Sequence, residues 1–367
     1  MIIYEAVAPA NIALLKYWGR LSLRPRRAAT PSLSVTLSRS VSVTRVEAIP
    51  EQEATIKQGG HQAKQVTMFF PCADLSPNLY DRISYLPHDS GMTNQVDSQF
   101  LAKIAQQVQF IRRTLGGDSA VSVVTENNFP VGVGLASSAS GFAALTVATA
   151  ACFWGVAEFS DFDQPSIHKL AMMAKEGSGS AGRSLFGGFV SWRSSQNGAK
   201  GSIAQEFPAH HMPLADTIFV FSQQPKKVSS SDGHQLAQTS QLYQLRVQRS
   251  ESRFIRMRQA LLTQDFTHLG ELMEQDAIDM HGICLTSTPP VSYLTEDSLK
   301  FMNWLVSQRN TGQFEAYFTV DAGPNVHVIS KVEDQSDIIN RVLEVFQVES
   351  VIVDRIGSGP RLQRITN

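Results

Sequence analysis

Hydrophobic and polar positions alternate along this chain in two rhythms, and each change of rhythm marks an element. In residues 97–115 the apolar side chains Phe100, Leu101, Ile104, Val108, Ile111 and Leu115 recur at helical spacing. Asp97 can cap that helix and Gly116-Gly117 can end it. Residues 2–8 and 120–125 read as strands, and residues 32–46 alternate well enough for one or two more, with Ser34, Thr36, Ser38 and Ser42 on one face. The Ala-rich stretch 139–152 and residues 167–174 read as helices, and 189–192 and 217–221 as strands. Farther along, the pattern predicts helices at 235–262, 265–277, 296–307 and 336–346, and strands at 314–320, 326–329 and 351–355. Strands and helices mix without regular βαβ repetition, so the expected class is α+β rather than a doubly wound sheet. The polar residues 50–66 suggest a hairpin tip or surface insertion. A linker at 198–201 divides the chain into domains 1–198 and 199–367.

Composition narrows this by exclusion. With 367 residues and 43% hydrophobic content, the chain can bury a sizeable core. Lys plus Arg is 32 against 33 for Asp plus Glu, a net charge of -1, which argues against a general nucleic-acid binder. A local basic pocket for a phosphorylated small molecule is compatible with that balance. Cys72, Cys152 and Cys284 are far apart and lack metal-ligand spacing, which fits a reduced, cytoplasmic compartment. No leader pattern opens the sequence, and no apolar run approaches the roughly 20 residues that span a bilayer. Neither a membrane nor a nucleic acid is expected as a partner.

The candidate chemistry begins at residues 127–141, where a Gly-, Ser- and Ala-rich junction joins a predicted strand to a predicted helix. Such a loop can close backbone N–H groups around an anion at a helix N-terminus; the alternative is a tight turn with close packing. It has neither the Lys-Ser/Thr ending of a Walker A loop nor a GxGxxG pattern. Ser137 and Ser138 either place a hydroxyl on a phosphate or metal ion, or cap the helix. Asp321, after a strand and before Gly323-Pro324, either serves a substrate hydroxyl as general base or organises its own turn. Arg183, with Ser178 and Ser180 just before it, either gathers an anion with its planar fork or stands at a helix end. Lys16, in a mostly apolar segment, either snorkels at a rim or points into a site.

The stretch Pro130-Val131-Gly132-Val133-Gly134-Leu135-Ala136-Ser137-Ser138-Ala139 resembles the ATP loop of the GHMP kinase superfamily. Three further segments resemble signatures of its diphosphomevalonate decarboxylase family. They are Ala8-Pro9-Ala10-Asn11-Ile12-Ala13-Leu14-Leu15-Lys16-Tyr17-Trp18-Gly19-Arg20, Gly177-Ser178-Gly179-Ser180-Ala181-Gly182-Arg183, and Ala316-Tyr317-Phe318-Thr319-Val320-Asp321-Ala322-Gly323-Pro324-Asn325. Weaker matches at 227–230 and 281–290 fall in the expected order.

The resemblance implies a two-domain α+β GHMP kinase fold, with a ribosomal protein S5 domain 2-like N-terminal domain and a ferredoxin-like C-terminal domain. It implies ATP-dependent decarboxylation of mevalonate 5-diphosphate to isopentenyl diphosphate, with ATP and Mg²⁺ as cofactors, in a homodimer. By resemblance, Asp321, Lys16, Arg183 and Ser138 are catalytic, with Ser138 also near the metal. Asn11, Tyr17, Arg20, Ser178, Gly179, Ser180 and Arg183 bind the substrate. Pro130, Gly132, Gly134, Leu135, Ala136, Ser137 and Ser138 bind ATP. The chain departs from the family pattern between Arg20 and Ser34, where Arg24, Arg26 and Arg27 cluster and Thr30 replaces an Asn, and at Ser231 and His234. These departures touch the substrate's phosphate end. A monophosphate decarboxylase, a mevalonate 3-kinase and a catalytically silent binding homologue are the alternative readings.

Overall fold

The computed structural model describes residues 2–22, 27–51, 61–62, 65–72, 75, 79–86, 98–130, 135, 137–193, 202–224 and 226–366. Asp97, the 198–201 linker, Arg24 and Arg26 lie outside the described residues, as does nearly all of 52–64. The architecture is the expected two-domain α+β one.

The first sheet is organised by one long strand. β4 (Ser32–Ala48) pairs along one edge with β1 (Ile2–Leu15), and along the other with β9 (Phe189–Arg193) and then β8 (Val121–Asn127). The polar face expected at Ser34, Thr36 and Ser42 is buried, because that face lies under other elements. Beyond β8 run β7 (Tyr80–Leu86), paired in parallel, and β6 (Gln65–Pro71); the short pair β2 (Arg20–Ser22) and β3 (Arg27–Ala28) stands apart. β5 (His61–Gln62) completes that edge. α1 (Ser98–Leu115), α2 (Ser137–Trp154) and α3 (Gln164–Gly177) cover the sheet, burying Ile104, Val108 and Ile111 against Val121, Val123 and the Ala-rich face of α2. Of the described helices, α2 is the one long and apolar enough to cross a membrane; 67% of it is buried inside the fold as a core helix.

The first sheet reaches past the division expected at 198/199. β10 (Ser202–Phe207) pairs with β9, and the last strand, β15 (Arg361–Thr366), returns to β1. No local pattern in 361–366 announces that return; β1 supplies the partner edge.

The second domain carries a four-stranded antiparallel sheet in the order β12 (Ala316–Thr319), β13 (Val326–Lys331), β11 (Leu214–Val220), β14 (Ser350–Arg355). Its strands alternate faces with period two. Tyr317, Ile218 and Ile329 face the first domain and the helix pair α5 (Tyr243–Leu262) and α6 (Phe266–Leu285). Phe318, Phe219, Val326 and Val328 face α7 (Glu296–Asn310) and α8 (Gln335–Val345). The single helix expected over 235–262 is broken: α4 (Ser230–Leu236) ends before Ser240. The Ser240 hydroxyl accepts the Leu242 N–H and bonds Thr286 Oγ1 at 2.6 Å, competing with helix continuation. α6 runs two turns past the predicted end at 277, because its far end is packed around Met280, Ile283 and Cys284. Asp265, expected inside that helix, caps it by accepting the His268 N–H.

Candidate active site

Four elements bring the candidate residues together where the two domains meet. β1 runs longer than its first residues predict, and carries Asn11 and then Lys16 into the interior. At Gly19 the chain turns with φ +91, and a Cβ there would sit 2.4 Å from Tyr243 Oη, so both conformation and space require glycine. The turn after α3 carries Ser178, Gly179, Ser180 and Arg183. Gly182 lets that turn press against α3, since a Cβ would meet the Ala171 carbonyl oxygen at 2.6 Å. The start of α2 supplies Ser137 and Ser138. The loop after β12 supplies Asp321.

Lys16 and Asp321 meet across 305 residues: Nζ donates to Oδ1 at 2.5 Å. The lysine side chain is 2% exposed and the carboxylate 28%, so the pair presents its acidic end to the cleft. Burial pushes the Lys16 ammonium down from its ordinary range, against the pull of Asp321 and Asp276. Burial also pushes the Asp321 carboxyl up, but Lys16, His327 and Arg183 outweigh it and the net direction is down. Asp321 is therefore ionised and able to accept a proton or orient a hydroxyl.

Arg183 is buried, and its hydrogen bonds go to neutral partners. Nε and Nη2 donate to Asn11 Oδ1 at 3.3 and 3.2 Å, and Nη1 donates to Ser32 Oγ at 2.6 Å. Burial brings its pKa down to about 10, with Asp321 and Tyr17 opposing. Asn11 is fixed in turn: its Nδ2 donates to Ser184 Oγ at 2.7 Å and to the Ser180 carbonyl at 3.3 Å. Ser178 does not join Arg183. It bonds Ser138 Oγ at 3.0 Å and Ser180 Oγ at 3.4 Å, tying the start of α2 to the turn after α3. From local sequence Ser178, Ser180 and Arg183 can converge on one anion; in the structure the two serine hydroxyls bond each other and Arg183 bonds Asn11 and Ser32.

Ser137 and Ser138 begin the helix itself rather than ending the loop, and the first turn of α2 holds no acidic residue. The Ser137 N–H already donates to the Leu135 carbonyl at 2.8 Å, while the dipole of this first turn suits a phosphate. Leu135 itself is buried. Gly132, Gly134 and Ala136 lie outside the described residues. Tyr17 packs edge-to-face with Trp192 and tilted against His234, with ring centroids 4.7 and 4.6 Å away, and Gly179 lies against its ring. The Arg20 backbone forms part of β2.

Three residues around the Lys16–Asp321 pair were not among the expected site residues, although His281 opens the weaker match at 281–290. Lys226 is half-buried within the electrostatic reach of Asp321, and burial lowers its pKa. The run Lys226-Lys227 was its only local signal. His281, from α6, lies against the Val320 and Asp321 backbone, with Nε2 buried and lacking a hydrogen-bond partner. Asp276, also on α6, accepts the Lys16 backbone N–H at 2.6 Å. His234, one of the departures, accepts the Gly19 N–H at 3.1 Å through Nδ1 and packs tilted against Trp18.

Both halves of the chain match known domains. Residues 8–204 match the diphosphomevalonate decarboxylase-like N-terminal domain, and residues 217–363 match the mevalonate 5-diphosphate decarboxylase C-terminal domain. The chain belongs to the diphosphomevalonate decarboxylase family. It is 31% identical over 363 residues to the diphosphomevalonate decarboxylase of Debaryomyces hansenii, covering 93% of this chain and 83% of that protein. The Bos taurus diphosphomevalonate decarboxylase is 31% identical over 357 residues, covering 95% and 82%. Among solved structures, mevalonate diphosphate decarboxylase from Staphylococcus aureus superposes with a TM-score of 0.81 at 29% identity, covering 100% of this chain and 99% of the other. MDDEF in complex with MVAPP, AMPPCP and magnesium superposes at 0.77 with 28% identity, covering 99% of both chains. Within this family, the Lys16–Asp321 pair and the buried Arg183 stand on three of the signature segments.

Proposed function

We propose that this chain performs the ATP-dependent decarboxylation of mevalonate 5-diphosphate to isopentenyl diphosphate, with ADP, phosphate and CO₂ as the other products. The observation that carries the reading is a buried Arg183 held by neutral groups beside an ionised Asp321 that faces the cleft. A buried guanidinium without a carboxylate partner suits an incoming one. Arg183 holds the substrate carboxylate, with Asn11 keeping the guanidinium plane in place. Asp321 accepts or orients the proton of the tertiary 3-hydroxyl, and Lys16 keeps Asp321 ionised. The hydroxyl oxygen takes the γ-phosphoryl group. The new phosphate then leaves with the C–O electron pair, the C–COO⁻ pair forms the double bond, and CO₂ departs. Positioning and electrostatics carry most of this chemistry.

Ser137, Ser138, Pro130 and Leu135 frame the ATP phosphates, with Gly132, Gly134 and Ala136 assigned by motif. Among the described residues no three His, Cys, Asp or Glu side chains gather for a metal. Magnesium bound with ATP fits that donor set, since it keeps waters and phosphate oxygens and needs few protein ligands. Ser138 Oγ, exposed at the helix start, would hold the ion, which would supply neutralisation of phosphate charge. Tyr17, Ser178, Gly179, Ser180 and Arg20 receive the 5-diphosphate. The homodimer and the cytoplasmic location belong to the same reading.

The test is turnover by purified protein on both phosphorylated mevalonates, with ADP and CO₂ measured together. Equal ADP and CO₂ from the diphosphate is the expected result. Turnover of the monophosphate alone would overturn the substrate, and ADP without CO₂ would make the protein a 3-kinase.

A further inference from the structure

At Lys16 the chain has just left the sheet: the pairing of β1 with β4 ends at Leu15 opposite Leu33. A peptide buried there needs partners for its N–H and C=O. Both come from side chains of the second domain. Asp276 Oδ2 accepts the Lys16 N–H at 2.6 Å, and Arg246 Nη2 donates to the Lys16 carbonyl at 3.1 Å. Arg246 also grips Asp276, with Nη1 3.0 Å from Oδ1 and Nη2 3.1 Å from Oδ2. Arg253 donates to Asp276 Oδ1 at 2.9 Å and to Asp279 Oδ2 at 2.7 Å. Asp276, Arg246 and Arg253 are all buried.

Two carboxylates of the second domain therefore hold one lysine of the first. Asp321 takes its ammonium and Asp276 its backbone. A neutral acceptor would satisfy a lone N–H at far lower desolvation cost than this four-charge cluster. What a neutral acceptor would not supply is a fixed negative charge beside Lys16.

We propose that Asp276, locked by Arg246 and Arg253, is a positioning residue for catalysis: it fixes where Lys16 emerges from β1 and keeps Lys16 charged against Asp321. This rests on the reaction proposed above. Other charged or titratable groups face Lys16 from the packed elements. These are Asp321 after β12, Arg183 after α3, His281 on α6 and Asp216 on β11. Burial lowers the Lys16 pKa, and Asp276 is among the groups that oppose this.

The experiment compares the wild type with Asp276→Asn, and with Asp276→Asn combined with Arg253→Gln, which removes one cation with the anion and keeps the cluster balanced if the single variant does not fold. Lys16 is followed by the titration of its ¹³Cε resonance in lysine-labelled protein, assigned with Lys16→Arg. The expected result is a lower Lys16 midpoint in the folded variant. With it, kcat should fall on the order of 10- to 100-fold while KM for both substrates stays within about twofold. An unmoved Lys16 midpoint with unchanged kcat, whatever the loss of thermal stability, would reduce the cluster to ordinary core and overturn the proposal. The titration needs no turnover, so a failure of the proposed reaction is read separately, in the wild-type assay.

Discussion

Two ion pairs with similar chemistry sit in this molecule, and their difference separates scaffold from site. In the first domain Arg112 on α1 pairs with Asp81 on β7, the side chains 1% and 0% exposed. Asp81 also accepts the Val121 N–H at 2.9 Å, and Arg112 donates to the Ser119 carbonyl at 3.2 Å, so the pair is stitched to the backbone at the entry to β8. The Lys16–Asp321 pair is buried only at its cationic end. Its carboxylate opens on the cleft, and its lysine can shed a proton where an arginine cannot. A closed pair with a permanent cation holds strands in place; a half-open pair with a titratable cation can take part in proton traffic.

Mutation separates the two. Asp321→Asn should lower kcat by roughly 10²- to 10⁴-fold, the range for loss of a positioned acid–base group. Circular dichroism and substrate binding by calorimetry should stay close to wild type, because asparagine keeps the side chain's shape and Asp276 remains beside Lys16. Full activity would remove Asp321 from the mechanism, and a protein that no longer folds would make this pair a scaffold like the other. Arg112→Met should do the reverse. It strands a buried carboxylate and should cost about 3–5 kcal/mol in denaturant unfolding, with kcat per folded molecule unchanged.

A smaller effect comes from His281, which packs behind the catalytic pair. Burial, and then Lys16, holds its pKa down to about 4, from an ordinary 6.5. Below pH 6.5 the unfolded chain takes up a proton that the folded chain refuses until about pH 4. Stability present above that window is therefore lost as pH falls through it. Thermal melts from pH 7 to 4 should decline less steeply for His281→Gln than for wild type; parallel slopes would show that His281 is not held neutral.

Much of the site was legible because its residues sit in local signatures. Asn11, Lys16, Tyr17, Ser138, Arg183 and Asp321 all lie on motifs readable along the chain, and Lys16 meets Asp321, Arg183 meets Asn11, and Ser138 meets Ser178. The reading was weakest where a residue acts through something distant. Asp276 looks like one more polar residue on an amphipathic helix; its meaning lies in a backbone N–H 260 residues away. Lys226 sits beside Lys227 with no local feature to rank them. The helix at 235–262 reads as continuous because its periodicity is intact, while the break at Ser240 depends on Thr286 from another element. The division at 198/199 missed β10 and β15, whose places in the first sheet are set by the edges of β9 and β1.

Sequence by itself determined the α+β class, the phosphate-suited start of α2, and the candidate acid, lysine and arginine. Each rests on periodicity, turn chemistry or a contiguous signature, which are properties of neighbouring residues. Tertiary structure alone decided that Arg183 faces neutral partners, that Ser178 joins Ser138 instead, and that Lys16 is held by carboxylates at both its backbone and its side chain. Burial and pairing of charges depend on which distant segments share a low-dielectric space, and no local pattern encodes that.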